Sequence, residues 1–305
     1  MEGVVKMKLE GIFAPIPTPF DDNYELDLNA LKKNMDYWLT TPLDGIVAAG
    51  SNGEWPLLTY EEKIKLFEAC VKYAGGKVKV IAGTHCPSTQ ETIALSKEAA
   101  RVGCDAVLVL PPHYYKGQNT QESLKRYFFE LADNTPIPVV LYNMPANTGF
   151  NMDHKTVKTL SEHPNIIGIK DSSADIVQIC QICKNTPSDF NVFAGSGSYF
   201  LPSLAVGCSG GTMAVANIFA KPCKEIFEHF NNGDIKNAQK IQLALVDINQ
   251  AVTKRYGVPG LKAAMEIAGL YGGPPRPPLL PVSKEIREEI KGIYNDFKNF
   301  YEGGK

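Results

Sequence analysis

Short apolar runs alternate with longer amphipathic segments along most of the chain. Eight of the short runs have the length and the β-branched content of buried strands: residues 11–18, 45–50, 78–84, 106–110, 139–143, 166–170, 191–195 and 210–215. Between them lie segments with helical spacing of apolar residues: 28–39, 59–73, 88–102, 120–133, 153–161, 175–184 and 199–206. Several helical segments begin with a capping residue, such as Thr59 with Glu62 three positions later.

Alternating strands and helices indicate parallel strands joined by right-handed crossovers. Eight such repeats in a chain of 305 residues favour closure into a (β/α)8 TIM barrel over an open, doubly wound sheet. No Gly-x-Gly-x-x-Gly sequence follows the first predicted strand, which disfavours a dinucleotide-binding fold. Further helical segments follow at residues 222–231, 235–256, 260–268 and 283–300. We therefore expect a barrel domain over residues 1–225 and a helical C-terminal extension over residues 226–305.

Composition narrows the class of protein. The chain is 44% hydrophobic and 21% charged, with 31 basic and 33 acidic residues, which is typical of a soluble globular protein without a basic face for nucleic acid. No apolar run reaches the length of a membrane span, and the N-terminus lacks the pattern of a signal peptide. Cys180 and Cys183 form a lone C-x-x-C inside a helical pattern, where cysteine packs as a small apolar residue, and no histidines have paired ligand spacing. These features predict a cytoplasmic protein without a metal site or cofactor.

Lys170 ends the apolar run at residues 166–170. A strand of this kind is covered on both faces, so its terminal lysine loses water unless the side chain reaches solvent. Burial disfavours the ammonium form and lowers the pKa of a lysine, which frees a nucleophilic amine near neutral pH. Such an amine can condense with a ketone or aldehyde to form a Schiff base.

Other polar residues also follow predicted strands, and the catalytic groups of a TIM barrel gather at the carboxyl ends of its strands. Tyr142 ends the strand before that of Lys170, so the two side chains can converge and the tyrosine can carry protons. Ser51 and Asn52 lie in a Gly-Ser-Asn-Gly sequence that suits a carboxylate, although the same sequence also makes an ordinary turn. Three further candidates for substrate contact or catalysis follow other strands: Tyr114, Tyr115 and Gly195.

Together these motifs resemble the pyruvate-dependent class I aldolase family of N-acetylneuraminate lyase and dihydrodipicolinate synthase. The resemblance covers essentially the whole chain and rests on Pro-Thr-Pro-Phe at 17–20, Gly-Ser-Asn-Gly-Glu at 50–54, Tyr-Asn-x-Pro at 142–145, Gly-Ile-Lys-Asp-Ser at 168–172 and Ala-Gly at 194–195. It implies a (β/α)8 barrel with C-terminal helices, usually assembled as a homotetramer. It also implies a Schiff base between pyruvate and the lysine of the sixth strand.

The resemblance assigns roles to individual residues. Lys170 would form the Schiff base, Tyr142 would shuttle protons and Ser51 would relay them, while Asn52 would hold the pyruvate carboxylate. Tyr114, in preference to Tyr115, would reach into the active site of a neighbouring subunit.

The identity of the second substrate depends on the stretch Pro-Ala-Asn-Thr-Gly at 145–149. Synthases of the family resemble one another in carrying arginine where this chain has Asn147, and a bidentate guanidinium is not replaced conservatively by an amide. The stretch is more similar to that of 4-hydroxy-2-oxoglutarate aldolase, which releases pyruvate and glyoxylate and in which Ser172 would recognise the distal carboxylate. We therefore expect that aldolase. The alternatives are a dihydrodipicolinate synthase that condenses pyruvate with aspartate semialdehyde, a sugar-acid lyase or dehydratase, and a catalytically silent pyruvate-binding protein.

Overall fold

Eight parallel strands close into a barrel in which each strand pairs with its neighbours in chain order, and the first pairs with the eighth. The structure is a computed structural model that describes residues 7–303. Residues 1–6, in which the sequence predicts no signal peptide, lie outside the described residues. The strands are β1 (Gly11–Pro15), β2 (Gly45–Ala48), β3 (Lys79–Gly83), β4 (Ala106–Val109), β5 (Val139–Asn143), β6 (Ile166–Asp171), β7 (Asn191–Ala194) and β8 (Gly210–Thr212).

Twelve α-helices in the described chain surround the barrel and extend it. They are α1 (Leu28–Trp38), α2 (Tyr60–Ala74), α3 (Thr89–Arg101), α4 (Gln121–Asn134), α5 (Pro145–Thr148), α6 (His154–Ser161), α7 (Ile176–Asn185), α8 (Phe200–Ala205), α9 (Ala220–Asn231), α10 (Ile235–Gln250), α11 (Gly257–Ile267) and α12 (Lys284–Gly303). The predicted capping box is present, because Thr59 and Glu62 exchange side-chain-to-backbone hydrogen bonds of 2.8 and 3.2 Å at the start of α2. No helix among residues 7–303 has both the length and the apolar composition needed to cross a bilayer.

Two apolar layers hold the barrel together. Side chains between the strands and the helices form the larger cluster, and a smaller one fills the barrel interior, where Phe13 and Phe193 meet edge to face at 5.2 Å between ring centroids. Gly45 on β2 leaves the space that the Phe13 ring occupies, because a Cβ there would overlap the ring. The interior is therefore a packed core rather than a pore.

The pairing of β5 with β6 contains a one-residue irregularity. Val139 pairs with Ile166, but the next pair is Val140 with Gly168, so β6 carries one extra residue at this point. Beyond the irregularity, Tyr142 pairs with Lys170. Both side chains consequently leave the same face of the barrel wall at its carboxyl end.

The helices α10 and α11 both pack on α12, and the three form the predicted C-terminal extension. The sequence predicts one helix over residues 235–256, but α10 ends at Gln250 and a π-helical turn, Ala251–Arg255, follows it. Gly257, with a left-handed φ of 57°, separates this turn from the rest of α11, and Pro259 has no N–H to donate to the carbonyl of residue 255. The predicted domain boundary between residues 225 and 226 lies within α9 and stays a prediction.

The predicted (β/α)8 barrel with C-terminal helices is confirmed. The main differences are at the ends of elements: the strand predicted over residues 11–18 ends at Pro15, and the short helix α5 was not expected. Cys180 was predicted to pack as a core residue, and this is wrong, since its side chain is exposed on α7. The hydrophobic periodicity of α7 buries Ile179 and Ile182 instead.

Candidate active site

Lys170 and Tyr142 lie side by side at the carboxyl ends of β6 and β5. The Lys170 Nζ atom is 4.4 Å from the centroid of the Tyr142 ring. Lys170 is only 5% exposed and Tyr142 only 2% exposed, so both reach into the barrel mouth rather than into solvent. An amine over an aromatic face beside a phenol hydroxyl is an arrangement suited to nucleophilic attack with proton transfer.

Ser51 extends this pair into a chain of three groups. Its Oγ atom lies 3.3 Å from the Tyr142 hydroxyl, and either oxygen can donate the hydrogen bond. The neighbouring Asn52 directs its amide towards the carbonyl oxygen of Pro15 at 3.4 Å. Two non-glycine residues with left-handed backbone, Ala49 (φ 50°) and Glu54 (φ 56°), bracket this loop, and such strain is commonly found at functional sites.

Ser172 and Gly195 meet at the ends of β6 and β7. The backbone N–H of Ser172 donates to the carbonyl oxygen of Asn143 at 2.8 Å, and that of Gly195 donates to Asp171 at 2.8 Å. A Cβ at Gly195 would overlap the Ser172 hydroxyl, so glycine is what allows the serine side chain to sit there. The Ser172 hydroxyl therefore lies directly against the Gly195 backbone, two residues beyond Lys170.

Three of the predicted site residues are exposed and lie outside this cluster in the single chain. Asn147 is exposed on α5, the turn that follows β5. Tyr114 and Tyr115 pack edge to face against each other, yet they are 82% and 74% exposed. Tyrosines as exposed as these leave large apolar surfaces uncovered.

A network of hydrogen bonds around the Asp171 carboxylate, which the sequence did not lead us to predict, joins β5 and β6. Asp171 is fully buried behind Lys170 and accepts hydrogen bonds from the side chains of Asn143 (2.8 Å), Gln178 (2.9 Å) and Ser173. Asn143 follows Tyr142 and pairs with Asp171 across the strands. The same adjacency that paired Tyr142 with Lys170 therefore predicts this contact one residue later. The network therefore joins the two strand ends that carry Tyr142 and Lys170.

A second missed group is His85, which lies just beyond β3. It is 2% exposed and meets Trp55 edge to face at 4.1 Å between ring centroids. Burial lowers its pKa to about 3, so its imidazole is neutral at physiological pH. Among residues 7–303 no group of three or more histidine, cysteine or acidic side chains is arranged to hold a metal ion.

Comparisons with known proteins agree with this geometry. Residues 8–296 match the model of the dihydrodipicolinate synthetase family. The 4-hydroxy-tetrahydrodipicolinate synthase of Oceanobacillus iheyensis is 34% identical over 96% of this chain and 99% of its own length. That of Bacillus subtilis is 35% identical over 95% of this chain and 100% of its own length.

Solved structures give the same result. A dihydrodipicolinate synthase from Bacillus anthracis superposes with a TM-score of 0.91 at 33% identity, covering 95% of this chain and 98% of that one. A prophage protein of Escherichia coli from the dihydrodipicolinic acid synthase family, in complex with pyruvate, superposes with a TM-score of 0.89 at 28% identity, with the same coverage of both chains.

These relatives do not support the closer resemblance to 4-hydroxy-2-oxoglutarate aldolase that the sequence suggested, and they favour the synthase alternative. With its closed barrel, its buried lysine and a match over nearly its full length, this chain belongs to the dihydrodipicolinate synthetase family.

Proposed function

We propose that this chain is a Schiff-base enzyme that joins pyruvate to an aldehyde, with the reaction of 4-hydroxy-tetrahydrodipicolinate synthase as its activity. The observation that carries the proposal is the buried Lys170 amine beside the Tyr142 phenol, whose hydroxyl lies 3.3 Å from Ser51. The names of the relatives support the condensation of pyruvate with aspartate semialdehyde as the overall reaction.

The first half of the reaction activates pyruvate on Lys170. The amine attacks the keto carbon to give a carbinolamine, and loss of water leaves an iminium ion. Tyr142 donates the proton that the departing hydroxyl needs, and Ser51 is hydrogen-bonded to the phenolate that results. The iminium then withdraws electrons from the methyl group, which loses a proton to this phenolate and leaves a nucleophilic enamine. Both proton transfers occur beside the Tyr142 ring, whose centroid lies 4.4 Å from the Lys170 amine.

The second half forms the carbon–carbon bond. The enamine carbon attacks the aldehyde carbon, and Tyr142 protonates the oxygen that becomes the new hydroxyl. Attack by water on the regenerated iminium releases the product and restores the Lys170 amine. Ser172 and the backbone of Gly195, at the carboxyl ends of β6 and β7, would hold the pyruvate carboxylate or the acceptor.

The acceptor is expected to carry a carboxylate, and Lys116 offers a cation for it. The Lys116 Nζ atom lies 3.3 Å from the position that a Cβ on Gly149 would occupy. The ammonium is therefore next to the end of α5, two residues after Asn147. An ammonium is a point charge without the fork of a guanidinium, and it would bind a carboxylate less selectively.

Cleavage of 4-hydroxy-2-oxoglutarate to pyruvate and glyoxylate is the second candidate. It uses the same steps in reverse, with Tyr142 removing the proton from the 4-hydroxyl. One specific feature favours it: Asn147 stands where synthases of the family carry the arginine that grips the semialdehyde carboxylate.

Assembly would complete the site. Tyr114 is largely exposed in the single chain, and the family resemblance implies that it would reach into the active site of a neighbouring subunit. We propose that it extends the relay from Ser51 in a homotetramer, which would also cover the exposed rings of Tyr114 and Tyr115.

Borohydride trapping tests the Schiff base. Incubation with pyruvate and borohydride should give one covalent adduct, which peptide mass mapping should locate on Lys170. Lys170→Ala should lose both the adduct and turnover, whereas Lys63→Ala, at another buried lysine, should retain the adduct. An adduct on a different lysine would overturn the assignment. Parallel assays of semialdehyde condensation and of pyruvate release from 4-hydroxy-2-oxoglutarate distinguish the two candidate reactions.

A further inference from the structure

A buried ion pair joins the C-terminal extension to the top of the barrel. Lys262, on α11, places its Nζ atom 2.7 Å from Oε1 of Glu54, and the two side chains are 2% and 0% exposed. The ammonium also donates hydrogen bonds to the carbonyl oxygens of Thr18 (2.9 Å) and Pro274 (2.8 Å) and lies 4.6 Å from the centroid of the Phe20 ring. A charge pair this deeply buried is costly unless both partners are satisfied.

Glu54 belongs to the same turn as Ser51. Its backbone N–H donates to the carbonyl oxygen of Ser51 at 3.2 Å, and Oε2 accepts the backbone N–H of Arg276 at 2.8 Å. The preceding carbonyl, that of Gly53, accepts a hydrogen bond of 2.6 Å from the hydroxyl of Thr18. The turn that carries Ser51 is therefore held on one side by a hydrogen bond from the loop after β1 and on the other by contacts with the C-terminal extension.

The conformation of Glu54 explains why a tie is needed. Its left-handed backbone, with φ of 56°, is unfavourable for a residue with a side chain and persists only where the surroundings impose it. The carboxylate cannot reach solvent, and the pair with Lys262 is what compensates its charge. Release of the pair would let the backbone relax and move the Ser51 hydroxyl away from Tyr142.

We propose that Glu54 and Lys262 are positioning residues for the reaction, which hold Ser51 in register with Tyr142. The inference rests on the proposed function, because it requires Ser51 to act in the proton relay. It makes the C-terminal extension a part of the active site rather than a cover for the barrel.

The test removes both charges together. The double variant Glu54→Gln/Lys262→Met leaves no uncompensated buried ion, so it can fold. We expect kcat to fall about a hundredfold, the usual effect of displacing a catalytic group by about 1 Å, while the KM of the aldehyde changes little. Borohydride trapping of pyruvate on Lys170 should persist. Should the double variant fail to fold, Glu54→Gln alone must give the same result, because it removes the ion pair, and burial already lowers the pKa of the remaining Lys262 ammonium.

A matched control comes from the other end of β2. Asp44 accepts two bonds of 2.8 Å from Lys224 and holds that end of the strand, remote from Lys170. Asp44→Asn/Lys224→Met should lower the melting temperature and leave kcat unchanged. Added to Ser51→Ala, the loss of the Glu54–Lys262 pair should reduce kcat little further, since both changes remove the same relay.

Additive losses, or an unchanged kcat in the double variant, would overturn the positioning role while leaving Schiff-base trapping intact. Failure of trapping in the wild-type protein would instead overturn the proposed function itself. The two failures are therefore distinguishable in the same set of experiments.

Discussion

Replacement of Tyr142 by phenylalanine removes one oxygen atom from the centre of the site. The ring remains, so the packing against the interior core and the contact with Lys170 are retained. The lost hydrogen bond, at 3.3 Å to Ser51, contributes no more than about 1 kcal/mol to stability. Loss of a positioned acid–base group costs roughly two to four orders of magnitude in rate, or about 2.7–5.5 kcal/mol in the activation barrier. The variant should therefore be nearly as stable as wild type and far slower.

Steady-state kinetics and urea unfolding measure the two effects separately, and Tyr127→Phe provides the control. Tyr127, on α4, is also a buried tyrosine, and its hydroxyl donates to another hydroxyl, that of Thr92 on α3, at 3.2 Å. This change should reduce stability to a similar extent and leave kcat unaltered. Equal kcat values for the two variants would show that another group carries the proton.

Three further outcomes are expected. Asn147→Arg should increase kcat/KM for aspartate semialdehyde roughly tenfold, the lower range for a bidentate contact, and an unchanged value would place residue 147 away from the acceptor. Tyr114→Phe should lower kcat at least about tenfold where Tyr115→Phe does not, and equal kinetics of the two would argue against a relay through Tyr114. Burial lowers the pKa of His85 to about 3, against about 6.5 in an unfolded chain, so between these values the unfolded state binds the extra proton and stability falls as the pH drops. His85→Gln should flatten the slope of the unfolding free energy with pH in that window by up to about 1.4 kcal/mol per pH unit, and parallel profiles for wild type and variant would contradict this.

The barrel and the pairing of Tyr142 with Lys170 could be predicted from the sequence for one reason. Strand and helix periods repeat in order, so strand neighbours are also chain neighbours, and residues at consecutive strand ends must meet. Tyr142 and Lys170 satisfy this rule, and their pairing is present. The same rule covers Asn143 and Asp171, one position later, which the sequence reasoning did not use.

Contacts between distant segments follow no such rule. Nothing local to Glu54 indicates that its partner is Lys262, because an acidic residue after Gly-Ser-Asn-Gly is equally typical of an exposed turn. Similarly, a helical pattern over residues 235–256 contains no sign of the π-helical turn, Ala251–Arg255, that follows α10. The contact between Glu54 and Lys262 depends on how the C-terminal extension packs on the barrel.

The irregularity at Gly168, which absorbs the extra residue in β6, determines which way the Lys170 amine points. Side chains alternate between the two faces of a strand, so a shift of one position exchanges the faces for every residue beyond it. Ile167 faces the interior cluster and Ile169 the outer one, and Lys170 returns to the interior. Unbroken alternation from Ile167 through Gly168 would turn the amine towards the helices and Asp171 towards the mouth. The direction of the Lys170 side chain therefore depends on a local irregularity of the strand pairing, and the apolar composition of β6 alone does not set it.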